Sequence, residues 1–247
     1  MSTSTPLTLS VSNASPLLAL NKIYLATEGE GINLGLPEIL VRLQGCAINC
    51  RYCDTPAALH IKRPALPVKD VLGQIKTIGK GLRRVSLTGG DPLAKIQRPG
   101  VIALCHLLKE QGYRINLEAH GLTPVEEAQE VYDVVDFISA DFKTPSGGKV
   151  GRIDLLRSLL AKYPHKLQIK SVIMDEKDFN FVLAAYRACS PWPLNVSWIL
   201  TPAYNLGEAL PQKRIEQIYR WNYLSGGNFR VIVQQHKLVF GPQRDDV

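Results

Sequence analysis

No apolar run in the chain approaches the ~20 residues that a membrane-crossing helix needs, so no membrane partner is expected. Leu17-Leu18-Ala19-Leu20 is too short for the core of a secretory signal and has no basic flank before it. With nothing to direct export, the five cysteines are expected to be thiols in a reducing cytoplasm. The net charge of +7 comes without a Lys/Arg block and without a basic stripe interleaved with aromatics. It reads as a solvated basic surface with a weak preference for anions, and direct nucleic-acid binding is not expected. Neither a fixed repeat nor a linker divides the chain. The expected organisation is therefore a flexible N-terminal arm over residues 1–16, rich in Ser, Thr, Asn and Pro, and one domain over 17–247. At 247 residues and 45% hydrophobic content, there is room for an α/β barrel.

What the chain does contain is an alternation of strands and helices. Ile39 to Leu43, Arg84 to Leu87, Ile115 to Leu117, Val134 to Phe142, Leu167 to Met174, Val196 to Leu200 and Phe229 to Val233 read as strands. Between them, Val68, Val71, Leu72, Ile75 and Ile78 fall at helical spacing. Pro99 opens a second helix with Val101, Leu104, Cys105 and Leu108 on one face. Further helices run through Leu155 to Leu160, Phe179 to Cys189 and Ile215 to Tyr219. The alternation predicts a parallel sheet with helices outside it, as a partial TIM-like β/α barrel of six or seven strands. Chemistry in such barrels is built where the strands end. The cysteine loop, Thr88-Gly89-Gly90-Asp91-Pro92, Glu118, Lys143, Thr201-Pro202 and His236 all fall at predicted strand ends.

Cys46, Cys50 and Cys53 follow the first of these strands directly, after Gln44-Gly45. Three thiolates on one short loop suit three corners of an iron–sulfur cube and leave one iron open to a ligand. A zinc knuckle completed by His60, seven residues beyond Cys53, is the competing reading. A disulfide would strand one thiol. Cys105 and Cys189 read as packing residues.

The Cys46-x-x-x-Cys50-x-x-Cys53 spacing, with Tyr52 before the last cysteine, resembles the signature of the radical S-adenosylmethionine superfamily. Glu28-Gly29-Glu30-Gly31, Leu36-Pro37, Val41-Arg42-Leu43-Gln44-Gly45-Cys46 and Cys53-Asp54-Thr55 are similar to the 7-carboxy-7-deazaguanine synthase family, from about Tyr24 to Pro242. The resemblance implies a lyase of queuosine and 7-deazapurine biosynthesis, cytoplasmic and homodimeric. It implies a 4Fe-4S cluster on Cys46, Cys50 and Cys53, whose fourth iron binds S-adenosyl-L-methionine. A reductant such as flavodoxin or ferredoxin supplies the electron, and a 5′-deoxyadenosyl radical abstracts hydrogen from C6 of 6-carboxy-5,6,7,8-tetrahydropterin. Ring contraction and loss of ammonia then give 7-carboxy-7-deazaguanine.

Residue by residue, the resemblance assigns Thr55 to Mg²⁺, and Gly89 and Gly90 to the methionine end of the cosubstrate. Glycines let the backbone approach a ligand closely. Asp141, Phe142 and Lys143 align with a segment near the adenosyl group, although the family carries Ser-Pro in the first two positions. Thr27, Glu28, Gly29, Arg42, Thr88, Glu118, His236 and Pro242 are assigned to the substrate. Arg42 has a fork that suits a carboxylate. Glu28 stands where the family usually has Gln, and Asp91 where it more often has Glu. The chain also continues past Pro242 to Val247. Two alternatives are a radical activase of a glycyl-radical enzyme and, in a different class, a zinc-stabilised RNA-binding module.

Overall fold

A computed structural model describes residues 15–204, 208–241 and 244. Eight strands form one sheet: β1 (Leu20–Thr27), β2 (Pro37–Leu43), β3 (Arg84–Gly89), β4 (Arg114–Ala119), β5 (Phe137–Asp141), β6 (Leu167–Ile173), β7 (Ser197–Pro202) and β8 (Arg230–Val231). Each strand pairs with its neighbour in sequence, and β1 and β8 are the edges, so the sheet stays open. From β2 onward every pairing is parallel, whereas β1 runs antiparallel against β2. This is the incomplete barrel that the strand count predicts. The antiparallel edge is the addition: β1 precedes the first strand expected from the sequence and runs up to Thr27.

The helices are α1 (Val68–Gly79), α2 (Arg98–Glu110), α3 (Gln129–Val134), α4 (Ile153–Lys162), α5 (Glu176–Ala188), α6 (Gln212–Leu224) and α7 (Gln235–Phe240). None is long and apolar enough to cross a membrane among the described residues. Two boundaries differ from the sequence reading. Val134 closes α3 instead of opening a strand, because the Asp136 N–H and carboxylate pair with the backbone of Ile115 and start the β4–β5 ladder there. The last expected strand keeps only Arg230–Val231, and the chain turns into α7.

The strands are two-faced. Ile39, Val41 and Leu43 of β2, Val85 and Leu87 of β3, and Ile115 and Leu117 of β4 are buried in the apolar core. That face meets the helices: Gly79 of α1 lies so close to Ile39 that a Cβ on it would overlap the Ile39 side chain. Val101, Leu104, Cys105 and Leu108 of α2 are fully buried in the same core, each large side chain contributing about 1.5–3 kcal/mol. The alternate positions are polar and face the other way: Glu38 and Arg42, Ser86 and Thr88, Asn116 and Glu118, Ser139 and Asp141, Gln168 and Lys170. Side chains alternate across a strand, so the parallel ladders bring these residues into one polar lumen.

Candidate active site at the mouth of the lumen

The cysteine loop springs from a rigid root. The Gln44 side chain is buried, donating to Leu20 O at 2.9 Å and accepting from the N–H groups of Lys62 and Arg63 at 2.8 and 3.2 Å. Gln97 Nε2 donates to the Gln44 carbonyl at 2.7 Å. Gly45 takes φ +89°, a turn that favours glycine, and its N–H and that of Cys46 reach Ala58 O and Leu59 O at 2.8 and 2.9 Å. The three cysteines between these ties are partly exposed and unbridged. Burial pushes the Cys50 thiol up; Lys143 opposes this, while Asp141, Cys46 and Cys53 add to it.

The donor set is all thiolate and carried by one short loop, which suits a cluster. Cys46 and Cys53 stand near enough to Cys50 for their charges to act on its thiol. His60, the fourth ligand in the zinc reading, is exposed.

The glycine turn lies directly under this loop. Gly90 donates its N–H to Leu43 O at 2.9 Å, and Gly89 takes φ +85° against Arg42 and the Leu43 backbone. Asp91 braces the turn, accepting from Leu93 N at 2.9 Å and from His120 Nε2 at 3.1 Å. From the other side, the segment after β5 grips the loop. Thr144 donates to Val172 O at 2.8 Å and accepts from Tyr52 Oη at 3.1 Å, and Arg51 N donates to Gly147 O at 3.1 Å. Lys143 pairs with Asp141 at 2.5 Å. Burial works to raise Asp141, but Lys143 and Lys170 outweigh it and hold the carboxyl below its usual range. Phe142 is a correction. Its ring stacks with Phe181 and meets Trp198 in the core, and its N–H and C=O pair with Lys170 O and Ser171 Oγ.

Inside the lumen, Arg42 and Thr88 are ladder partners. Arg42 Nη2 donates to Tyr24 Oη at 2.5 Å, and Thr88 Oγ1 donates to Glu118 Oε2 at 3.3 Å. Lys170 Nζ stands 3.6 Å from Glu118 Oε2 and 2.9 Å from Glu30 Oε1. Burial raises Glu118, with Lys170 opposing. Burial alone would lower Lys170, yet Glu118, Glu30 and Asp141 hold it well above its ordinary value. His236 packs so tightly on Gly29 that a Cβ there would overlap its ring, while Gln235 N donates to Gly29 O at 2.7 Å. Burial lowers the His236 imidazole. Glu118 itself sits within β4, one residue before the strand ends, instead of after it.

Two residues assigned to the substrate sit at the N-terminal end of β2. Glu28 is buried at the N-terminal ends of β2 and β3, where its carboxylate and that of Glu38 share the Arg84 guanidinium, within reach of the Glu118 and Lys170 charges. Thr27 is the exposed last residue of β1, opposite Pro37. Thr201 is buried, with its hydroxyl 3.5 Å from Ser171 O. Thr55 lies beside the cysteines, its Oγ1 3.8 Å from Cys53 Sγ, and makes no capping bond to the short helical turn that follows. Pro242 lies outside the described residues. The structure adds Tyr24, Glu30, Lys170 and Thr144, which the sequence reading did not single out. A Lys inside the apolar strand LQIKSVI was the one available signal.

Residues 40–157 match the model of the Radical SAM superfamily. A 7-carboxy-7-deazaguanine synthase of Clostridium acetobutylicum is 31% identical over 161 residues, covering 64% of this chain and 69% of the relative. One from Methanopyrus kandleri is 29% identical over 247 residues, covering 91% and 94%. The crystal structure of QueE from Escherichia coli aligns with a TM-score of 0.64 at 20% identity, over 89% of this chain and 95% of that one, and so shares the fold.

Proposed function

The chain belongs to the 7-carboxy-7-deazaguanine synthase family within the radical S-adenosylmethionine superfamily, and from that membership we propose that it converts 6-carboxy-5,6,7,8-tetrahydropterin to 7-carboxy-7-deazaguanine and ammonia. The observation that carries the reading is the three-cysteine loop held over the Gly89-Gly90 turn at the mouth of a polar lumen. Cys46, Cys50 and Cys53 would hold the cluster, and the backbone of the Gly89-Gly90 turn would meet the methionine end of the cosubstrate beside it. Bound there, a reduced cluster with S-adenosylmethionine supplies the carbon radical that begins the reaction.

The remaining work falls to the protein's own groups. Arg42, steadied by Tyr24, presents its guanidinium to the substrate carboxylate. Thr55 offers a hydroxyl to Mg²⁺, a hard cation that takes oxygen ligands. Thr88 and Glu118 line the lumen wall, and His236 seals it against Gly29. The cysteine loop lies across the rim and limits access of water to a reactive intermediate. A low-potential protein such as flavodoxin or ferredoxin supplies the electron.

The test is anaerobic incubation of reconstituted protein with reductant, S-adenosylmethionine and the carboxypterin. Formation of 7-carboxy-7-deazaguanine with equimolar ammonia is expected. Release of 5′-deoxyadenosine that is indifferent to the pterin sinks the assignment.

A further inference from the structure

Neither the cysteine loop nor the glycine turn accounts for the charges deeper in the lumen. Only 7% of the Lys170 side chain is accessible, and its ammonium serves two carboxylates drawn from distant parts of the chain. Glu30 comes from the loop between β1 and β2, and Glu118 from β4. Glu30 is engaged at both oxygens, by Lys170 at 2.9 Å and by Gln234 Nε2 at 3.4 Å. Asp141, the next acid facing Lys170, has Lys143 of its own at 2.5 Å. Glu118 is held at Oε2 by Thr88 and Lys170, which leaves Oε1, and 27% of its side chain stays accessible.

We propose that Lys170 is a positioning residue for the substrate: it keeps Glu118 ionised and fixed, so that Oε1 accepts hydrogen bonds from the N–H-rich, uncharged amino-pyrimidinone edge of the ligand. The inference rests on the pterin reading above. A carboxylate in low dielectric without a nearby cation takes up a proton, and a protonated Glu118 would set a donor against a donor edge. The charged groups acting on Glu118 are Lys170, Glu30, Glu38 and Asp141, with Glu28 beyond them. Lys170 is the cation first among them, and Glu30, Glu38 and Asp141 all drive Glu118 toward its neutral form. Two acids on one ammonium leave one negative charge in excess, which suits an edge of donors and repels an anionic one.

The experiment is equilibrium binding of the carboxypterin to reconstituted, unreduced protein between pH 6 and 9, for wild type, Lys170→Met and Lys170→Arg. Iron and sulfide content serves as the folding control. Wild-type affinity is expected to vary little across the range. Lys170→Met is expected to weaken binding by about tenfold per pH unit below the raised pKa of Glu118, recovering toward pH 9. Lys170→Arg is expected to restore the flat profile. Glu118→Gln cannot titrate, so it should lose about tenfold or more at every pH, and adding Lys170→Met to it should cost little further. That pair decides the matter if the single Met variant fails to fold. A Lys170→Met protein with wild-type affinity overturns the inference, and so does a pH-independent loss that Arg does not rescue. If wild type neither binds nor converts the pterin, the assigned reaction fails. Wild-type turnover with an indifferent Lys170→Met sinks only this inference.

Discussion

Gly90 lies so close to Gly45 that a Cβ added to it would stand 2.5 Å from the Gly45 carbonyl oxygen. The turn after β3 and the root of the cysteine loop are thus in backbone contact, and no side chain fits between them. Gly90→Ala must push the loop outward. The prediction is loss of most of the bound iron after reconstitution, with the secondary structure retained by circular dichroism. A full cluster in the Ala variant would mean that the loop is not seated on the turn.

The five cysteines should divide cleanly. Cys46→Ala, Cys50→Ala and Cys53→Ala are each expected to abolish the cluster absorbance and the cleavage of S-adenosylmethionine. Cys105 is fully buried against α2's neighbours and Cys189 nearly so, so their replacement by Ala should cost stability and leave iron per chain unchanged. Iron and sulfide analysis of the five variants decides it, and iron loss on changing Cys189 would reopen the ligand assignment.

Tyr24 reaches across the β1–β2 ladder to the Arg42 guanidinium. Tyr24→Phe removes that oxygen and keeps the ring on which Arg42 lies, at 5.7 Å from the centroid. A hydrogen bond to a charged group is worth about 1.5–3 kcal/mol, so a KM for the pterin raised by roughly tenfold or more is expected, with kcat changed less. Arg42→Lys, which lacks the fork, should be worse. Steady-state kinetics on both variants is the check, and an unchanged KM in both would remove Arg42 from the carboxylate.

Thr55→Ala is predicted to weaken the dependence of turnover on Mg²⁺ while leaving the cluster spectrum intact. The hydroxyl stands next to Cys53 and caps nothing, so its loss should not unfold the turn. A Mg²⁺ titration identical to wild type would exclude it as a ligand.

Glu28 offers a pH signature of stability. Burial first, then the Glu118 and Glu38 charges, raise its carboxyl to about 7. The folded state therefore holds a proton that the unfolded state releases near pH 4.5. More protons bound in the native state means that stability falls as pH rises, from about 4.5 up to about 7, and levels off above. A shift of that size corresponds to about 3 kcal/mol. Glu28 Oε1 is buried without a hydrogen-bond partner, and Oε2 takes the Arg84 guanidinium, so an amide suits the place. Glu28→Gln should abolish this part of the pH dependence and stabilise the protein above pH 7. Thermal melts of both proteins from pH 4.5 to 8 test this, and parallel curves would show that Glu28 is ionised throughout.

Much of the architecture was legible along the chain. The order of strands and helices follows from apolar periodicity, and the cysteines and the glycine turn each sit within a few residues, so local pattern is enough to find them. The polar lumen is written in the period-two alternation of Arg84-Val85-Ser86-Leu87-Thr88 and Leu167-Gln168-Ile169-Lys170: strands buried on both faces read as continuous apolar runs, and these do not. β1 is harder to find, because only Tyr24 and Ala26 of its second half alternate inward and the glycine-rich Glu28-Gly29-Glu30-Gly31 follows at once.

Sequence by itself determined which residue types are present and where each strand can end, because hydrophobic spacing and turn chemistry act over a few residues. Only the tertiary structure decided which acid meets which cation. Glu28 and Glu30 stand two apart in the chain, yet one is tied to Arg84 and the other to Lys170, 140 residues away. The grip of Thr144 on Tyr52 likewise joins residues 92 positions apart. Ionic and hydrogen-bond partners are chosen by the path of the folded backbone, and no periodicity along the chain encodes that path.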